Sequence, residues 1–228
     1  MKITSIVTSI SRTDHLSAID RVKTMPPSEA LSIESVIQRI ISLNQGIFIF
    51  WSQSDGWTSE DSAQILSRSR LDRQVSLSHC LKMWLQAPYD GAESGQIIMG
   101  WANLGSLLEG SLKLFLSVWH ETYKLDIDAI KKKDKFQNPD GLQLEPLRIF
   151  FKKKIWDNEI DSWVQHIQIR RNAIHAYQDK EIGSLEELQT YMRKYLDILR
   201  YINFRLPYHD VISEANEEAI IQVRSLIL

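Results

Sequence analysis

The chain of 228 residues holds a single cysteine, Cys80. A disulfide needs two thiols and a cysteine zinc cluster needs more, so neither can form within this sequence. Nine glycines and six prolines are few for this length and disfavour a turn-rich β fold. No apolar run approaches the roughly 20 residues of a membrane span. The start, Met1-Lys-Ile-Thr-Ser-Ile-Val-Thr-Ser-Ile10, is too polar for a secretory signal. The sequence therefore reads as cytoplasmic, with no membrane partner. A glycine-rich phosphate loop, a His-Glu-x-x-His pair and an acid cluster suited to magnesium are all missing. These absences argue against an NTPase, a zinc hydrolase and a two-metal nuclease, and no cofactor or metal is implied. A formal charge of −2 argues against strong non-specific nucleic-acid binding, so any RNA contact must use a local patch.

What is present is helical patterning. Residues up to about Met25 are weakly periodic, and Ile3, Ile6, Val7 and Ile10 suit a helix or a short strand. After Pro26-Pro27, Ser28 caps an expected helix carrying Leu31, Ile33, Val36, Ile37, Ile40 and Ile41 and ending at Gly46. Ile47–Trp51 reads as strand or buried helix. Two long helices are expected at 59–88 and 96–125, the second buried through Trp101, Leu104, Leu108, Leu112, Phe115 and Trp119. Ala102, Ser106 and Gly110 give that helix a narrow face of small residues. A polar connection spans Lys131–Gly141, followed by helices at 146–156, 157–180 and 184–205, the last opened by the capping-box-like Ser184-Leu-Glu-Glu187. The division is a helical extension at 1–57, a bundle at 58–207 and a final helix at 208–228. The fold class is all-α, a four-helix arrangement with an additional N-terminal helical layer.

Charge, amide, imidazole and phenol crowd together in Trp163-Val-Gln-His-Ile-Gln-Ile-Arg-Arg-Asn-Ala-Ile-His-Ala-Tyr177. On an ideal helix Arg171, Asn172 and His175 fall within an arc of about 100°. Arg170 points about 140° away from His175, toward the Trp163 side. A cation, an amide and an imidazole on one face can hold a phosphate and move a proton beside it. Arg170-Arg-Asn-Ala-Ile-His175 with Tyr177 reads Arg-x4-His-x-Tyr, which resembles the signature of the HEPN superfamily (higher eukaryotes and prokaryotes nucleotide-binding domains). The resemblance covers about Ser59 to Pro207. It implies a helical bundle, a metal-independent endoribonuclease of toxin–antitoxin or phage-defence type, and a composite site at a homodimer interface. It also implies a candidate silencing site at Tyr177, adenylylated by a minimal nucleotidyltransferase antitoxin. Non-catalytic members that bind nucleotides or proteins are the alternative.

RNA cleavage without a metal needs a base for the 2′-OH proton, an acid for the leaving 5′ oxygen and positive charge on the phosphate. His175 suits proton transfer; Arg170 and Arg171 suit the charge, and Asn172 suits orienting the ring or the phosphate. One chain carries one such stretch, so a two-fold pair supplies the second histidine. Glu109 is an expected partner of Arg170 or Arg171 across the bundle. Asp179, one helical turn beyond His175, is an accessory carboxylate. Between Lys113 and Lys154 stand ten Lys or Arg against six Asp or Glu. Within that excess, Lys131, Lys132, Lys133, Lys152, Lys153 and Lys154 are the candidates for tracking an RNA backbone.

Overall fold

A computed structural model describes residues 25–56, 58–175 and 179–208. The first 24 residues, Tyr177 and the helix expected beyond Tyr208 lie outside the described residues. The fold is all-α. Its helices are α1 (Ile33–Trp51), α2 (Glu60–Arg68), α3 (Leu71–Cys80), α4 (Glu93–Val118), α5 (His120–Leu125), α6 (Leu144–Lys154), α7 (Asn158–Arg171) and α8 (Leu185–Phe204). Short 3-10 turns occupy Ser28–Ala30, Leu81–Leu85, Pro139–Gly141 and Asn172–Ile174.

The stripe read from the sequence makes α4 the centre of the bundle. Trp101, Leu104, Leu108 and Leu112 are fully buried and Phe115 nearly so. Around α4 pack α2, α3, α6, α7 and α8. Burying one such Leu or Phe side chain contributes about 1.5–3 kcal/mol. Helix α1 lies on α3 and α8, so the N-terminal layer is joined to the bundle over two helices. Its cap is Ser32, whose hydroxyl accepts from the Ser35 amide, rather than Ser28. It runs on through Gly46 because Ile47, Phe50 and Trp51 are buried, which settles that run as helix.

Two segments expected as single long helices are each divided. The segment expected as one helix over 59–88 breaks at Ser69 and Arg70 into α2 and α3. Ser69 is extended, its hydroxyl donates to the Leu66 carbonyl, and Arg70 pairs with Asp72. The segment expected to 125 breaks at Trp119, whose indole N–H donates to the Arg205 carbonyl and pins the chain there. The polar connection contains the hairpin β1 (Lys131–Lys132) and β2 (Lys135–Phe136), antiparallel, with Lys131 opposite Phe136 and Lys132 opposite Lys135. Its two turn residues, Lys133 and Asp134, have φ of 50° and 60°, the left-handed pair of a tight hairpin turn. Phe136 meets the rings of His120 and Tyr123 and so fastens the hairpin to the bundle.

Candidate functional site

Helix α7 begins at an Asp157 cap, whose carboxylate accepts from the Ile160 amide, and buries Trp163, Val164 and Ile167. It ends at Arg171, short of the expected Lys180. The Asn172 amide shares the carbonyls of Gln168 and Arg170, and Asn172–Ile174 tighten into a 3-10 turn. His175 leaves helical geometry at φ −85°, ψ 87°. Ile174 is half exposed, so continuing the helix would bury little. The continuous α-helix on which Arg171, Asn172 and His175 were expected to share a face is therefore corrected: it ends at Arg171, tightens to a 3-10 turn over Asn172–Ile174, and the backbone leaves helical geometry at His175.

Arg171 lies across α4. Its Nη1 donates to Glu109 Oε2 at 2.9 Å, and the other Glu109 oxygen takes Lys113 Nζ at 2.9 Å. Of the two partners expected for Glu109, Arg171 is the one observed. Burial raises the Glu109 carboxyl, but the hydrogen bonds from Arg171 and Lys113 outweigh it and hold the group below its ordinary value. The arginine stem can cross so closely because position 105 is glycine. A Cβ there would stand 2.8 Å from Arg171 Cδ. Further along the small-residue face, Gly110 receives the Gln74 side chain, whose amide donates to the Leu107 carbonyl.

Arg170 is 5% exposed and committed to acids on the following segment. Its Nη2 donates to both Glu187 oxygens at 3.1 and 3.2 Å, and Nη1 stands 3.4 Å from Glu181 Oε2. His166 Nε2 lies 2.7 Å from Glu187 Oε1 and 3.1 Å from Arg170 Nε. A carboxylate oxygen only accepts, so the shorter contact puts the proton on Nε2 and the longer one is then no true hydrogen bond. The His166 ring stacks on Tyr191 with centroids 4.9 Å apart and meets Trp101 edge-on. Burial raises the Glu187 carboxyl, and the bonds from Arg170 and His166 bring it below its ordinary value. Gly183, at φ 70°, closes over this group, and Trp101 Nε1 donates to the Ile182 carbonyl beside it.

The sequence singled out none of Glu187, Glu181 and His166 as site residues. The available signal was the capping box at Ser184. The Ser184 hydroxyl does accept from the Glu187 amide, but the Glu187 carboxylate turns to Arg170 instead of closing the box.

His175 is exposed and Asn172 half-buried, and neither side chain has a hydrogen-bond partner among the described residues. Asp179 is exposed and sits on no helix with His175. It lines an open depression together with Ile98, Met99, Ala173, Ile174 and Ile182. A second, more apolar groove, with Met83, Trp84 and Tyr89 on its walls, adjoins the depression at Gly95 and Met99. Asn103 lines it, and neither of its amide atoms has a partner among the described residues.

The expected RNA-tracking lysines divide into two groups. Lys152 pairs with Asp161 at 2.7 Å, Lys153 with Asp128 at 3.0 Å, and Lys154 with Asp126 and Asp128 at 2.9 and 2.8 Å. Their charge is largely answered inside the protein. Lys131, Lys132 and Lys133 are exposed on the hairpin with no acidic partner among the described residues. No helix among the described residues is long and apolar enough to cross a membrane. Comparison with protein-family models, with curated proteins and with solved structures finds no significant match for this chain.

Proposed function

We propose that the protein is a metal-independent endoribonuclease of the HEPN type, acting as a homodimer, with a toxin or phage-defence role. The observation that carries this reading is the exposed imidazole of His175, which has no hydrogen-bond partner among the described residues and directly follows Ala173 and Ile174 on the wall of an open depression. Imidazole is the side chain suited to take or give a proton near neutral pH. Arg171 is the cation that a phosphate can recruit. It is about one-third exposed, and Glu109 keeps Lys113 if Arg171 swings away. Arg170 holds the end of α7 to the start of α8 and is a positioning residue in this reading. A second copy brings the second imidazole that paired acid and base chemistry requires. The free hairpin lysines give RNA a sequence-independent contact.

The test is cleavage of RNA by the purified protein in EDTA. Products ending in 2′,3′-cyclic phosphate are expected, with loss of orders of magnitude in rate for His175→Ala and an unchanged circular dichroism spectrum. Cleavage that stops in EDTA and returns with magnesium would overturn the mechanism.

One observation favours a second reading, a non-catalytic module that binds a nucleotide or a protein. Both arginines of the signature already have carboxylate partners. Binding of RNA or nucleotide without cleavage, lost in Arg171→Ala, would select it.

A further inference from the structure

Where the start of α2 meets the start of α5, three electron-pair donors converge. They are one carboxylate oxygen each from Asp61 in the first turn of α2 and Glu121 in α5, and the Nδ1 of His120. All three atoms lie within 4.8 Å of one another. The carboxylates are about half exposed, whereas the His120 side chain is 3% exposed.

The imidazole supplies the independent observation. His120 Nε2 lies 3.1 Å from Asn138 Oδ1. An amide oxygen only accepts, so Nε2 carries a proton, and in the neutral tautomer the Nδ1 lone pair is the one left to ligate. Nδ1 faces Glu121 Oε1 at 3.5 Å and Asp61 Oδ2 at 3.9 Å. A buried nitrogen is thus aimed at two carboxylate oxygens, a gap that a proton on Nδ1 or a cation can bridge. The ring cannot turn away, because Phe136 of β2 covers it edge-on at 5.8 Å and Asn138 holds its other nitrogen. A histidine whose far N–H is held by a carbonyl-type oxygen while its near nitrogen points at carboxylates is the arrangement in which imidazole ligates a metal.

Two further groups touch the cluster. Lys124 Nζ stands 2.8 Å from Asp61 Oδ2 and holds that carboxylate below its ordinary value. The Ser59 hydroxyl donates to Glu121 Oε1 at 3.4 Å, which leaves it able to rotate aside. Lys124 is about half exposed, so its ammonium can withdraw to water. It now occupies the place of a cation.

We propose that Asp61, His120 and Glu121 bind one zinc-class divalent cation, with water completing a four-coordinate shell. One imidazole and two carboxylates suit Zn²⁺, whose bonds to such donors are about 2.0–2.2 Å, better than Ca²⁺ or Mg²⁺, which take oxygen ligands. The spread of the three donors requires a small closure, and the exposed carboxylates can supply it. Bound there, the cation ties the start of α2 to α5 and, through His120 and Asn138, to the segment that carries the hairpin. Its role is to fasten structure, separate from proton transfer at His175.

The experiment is calorimetric titration of untagged, EDTA-stripped full-length protein with zinc chloride at pH 7.5, repeated with calcium chloride. One equivalent of saturable zinc binding is expected, with a raised Tm and no comparable calcium binding. Asp61→Asn and Glu121→Gln, both surface changes that leave the core intact, should each weaken zinc by about tenfold or more, the scale at which support of a metal site is felt. Lys124→Gln should tighten it, because the competing ammonium is gone; a plain ion-pair cluster predicts only lost stability there. Cobalt substituted at the site should give visible absorption that Glu121→Gln changes. Absence of saturable zinc binding in both the native chain and Lys124→Gln would overturn the proposal, as would zinc binding that survives both carboxylate changes.

Discussion

Arg170 and Glu187 form a two-pronged ion pair that joins the last turn of α7 to the first turn of α8, at 3.1 and 3.2 Å from one guanidinium nitrogen. The pair fits only because Gly183 passes over it. A Cβ at that position would collide with Glu187 Oε2 and approach Arg170 Nη2 to 3.3 Å. The φ of 70° at Gly183 also belongs to the left-handed region that glycine adopts without penalty. The arginine that a signature reading assigns to phosphate is thus used first to fix the chain around the candidate site.

Arg170→Ala should lower stability by roughly 3 kcal/mol, the cost of leaving the partner of a buried pair uncompensated. Glu187→Gln should cost less, and the double variant less than the sum of the two. A double-mutant cycle by urea unfolding measures the coupling; strictly additive losses would show that the pair contributes nothing. Gly183→Ala should be destabilising by about 1–3 kcal/mol on backbone grounds alone.

Arg171→Ala should behave differently. Glu109 retains Lys113, and Arg171 is about one-third exposed, so a loss of about 1 kcal/mol or less is expected. RNA binding or cleavage should fall in the same variant. Full activity in Arg171→Ala, with Arg170→Ala inactive yet equally stable, would place the phosphate on Arg170 instead.

Acid should loosen this region. Glu187 and Glu109 both sit below their ordinary values in the folded chain. A depressed carboxylate contributes stability that is fully present above its unfolded pKa, about 4.3, and is lost as pH falls through the folded value. Tm should therefore hold between pH 6 and 5 and drop below about pH 4, and Glu187→Gln should flatten part of that drop. A Glu187→Gln profile parallel to the native one would remove Glu187 from the account.

The hairpin turn is open to improvement. Lys133 and Asp134 hold positive φ values that Asn and Gly adopt more readily. Lys133→Asn with Asp134→Gly should stabilise the chain by about 0.5–1 kcal/mol, read as a higher Tm. Since Lys133 is one of three free hairpin lysines, the same variant should weaken RNA binding at low salt and less so at high salt.

The apolar periodicity of 96–118 determined α4 as the central helix, because a stripe of Trp, Leu and Phe has no other way to leave water. The cap at Ser184 was likewise local and legible, since a hydroxyl three residues before an orphan amide needs nothing from the rest of the chain. The ends of α2 and α7 were not. Whether a helix continues past Ser69 or Asn172 depends on whether the next residues find something to bury against, and only the packed bundle answers that. Burial of Arg170 was expected from its direction on the helix, yet its partner came from a segment 17 residues away that the sequence read as a cap. His120 and Glu121 carry no spacing signal, since the third donor, Asp61, stands 59 residues before His120. Such pairings rest on folded geometry: a charge takes whichever counter-charge the packing brings within about 3 Å, and sequence distance does not enter that energy.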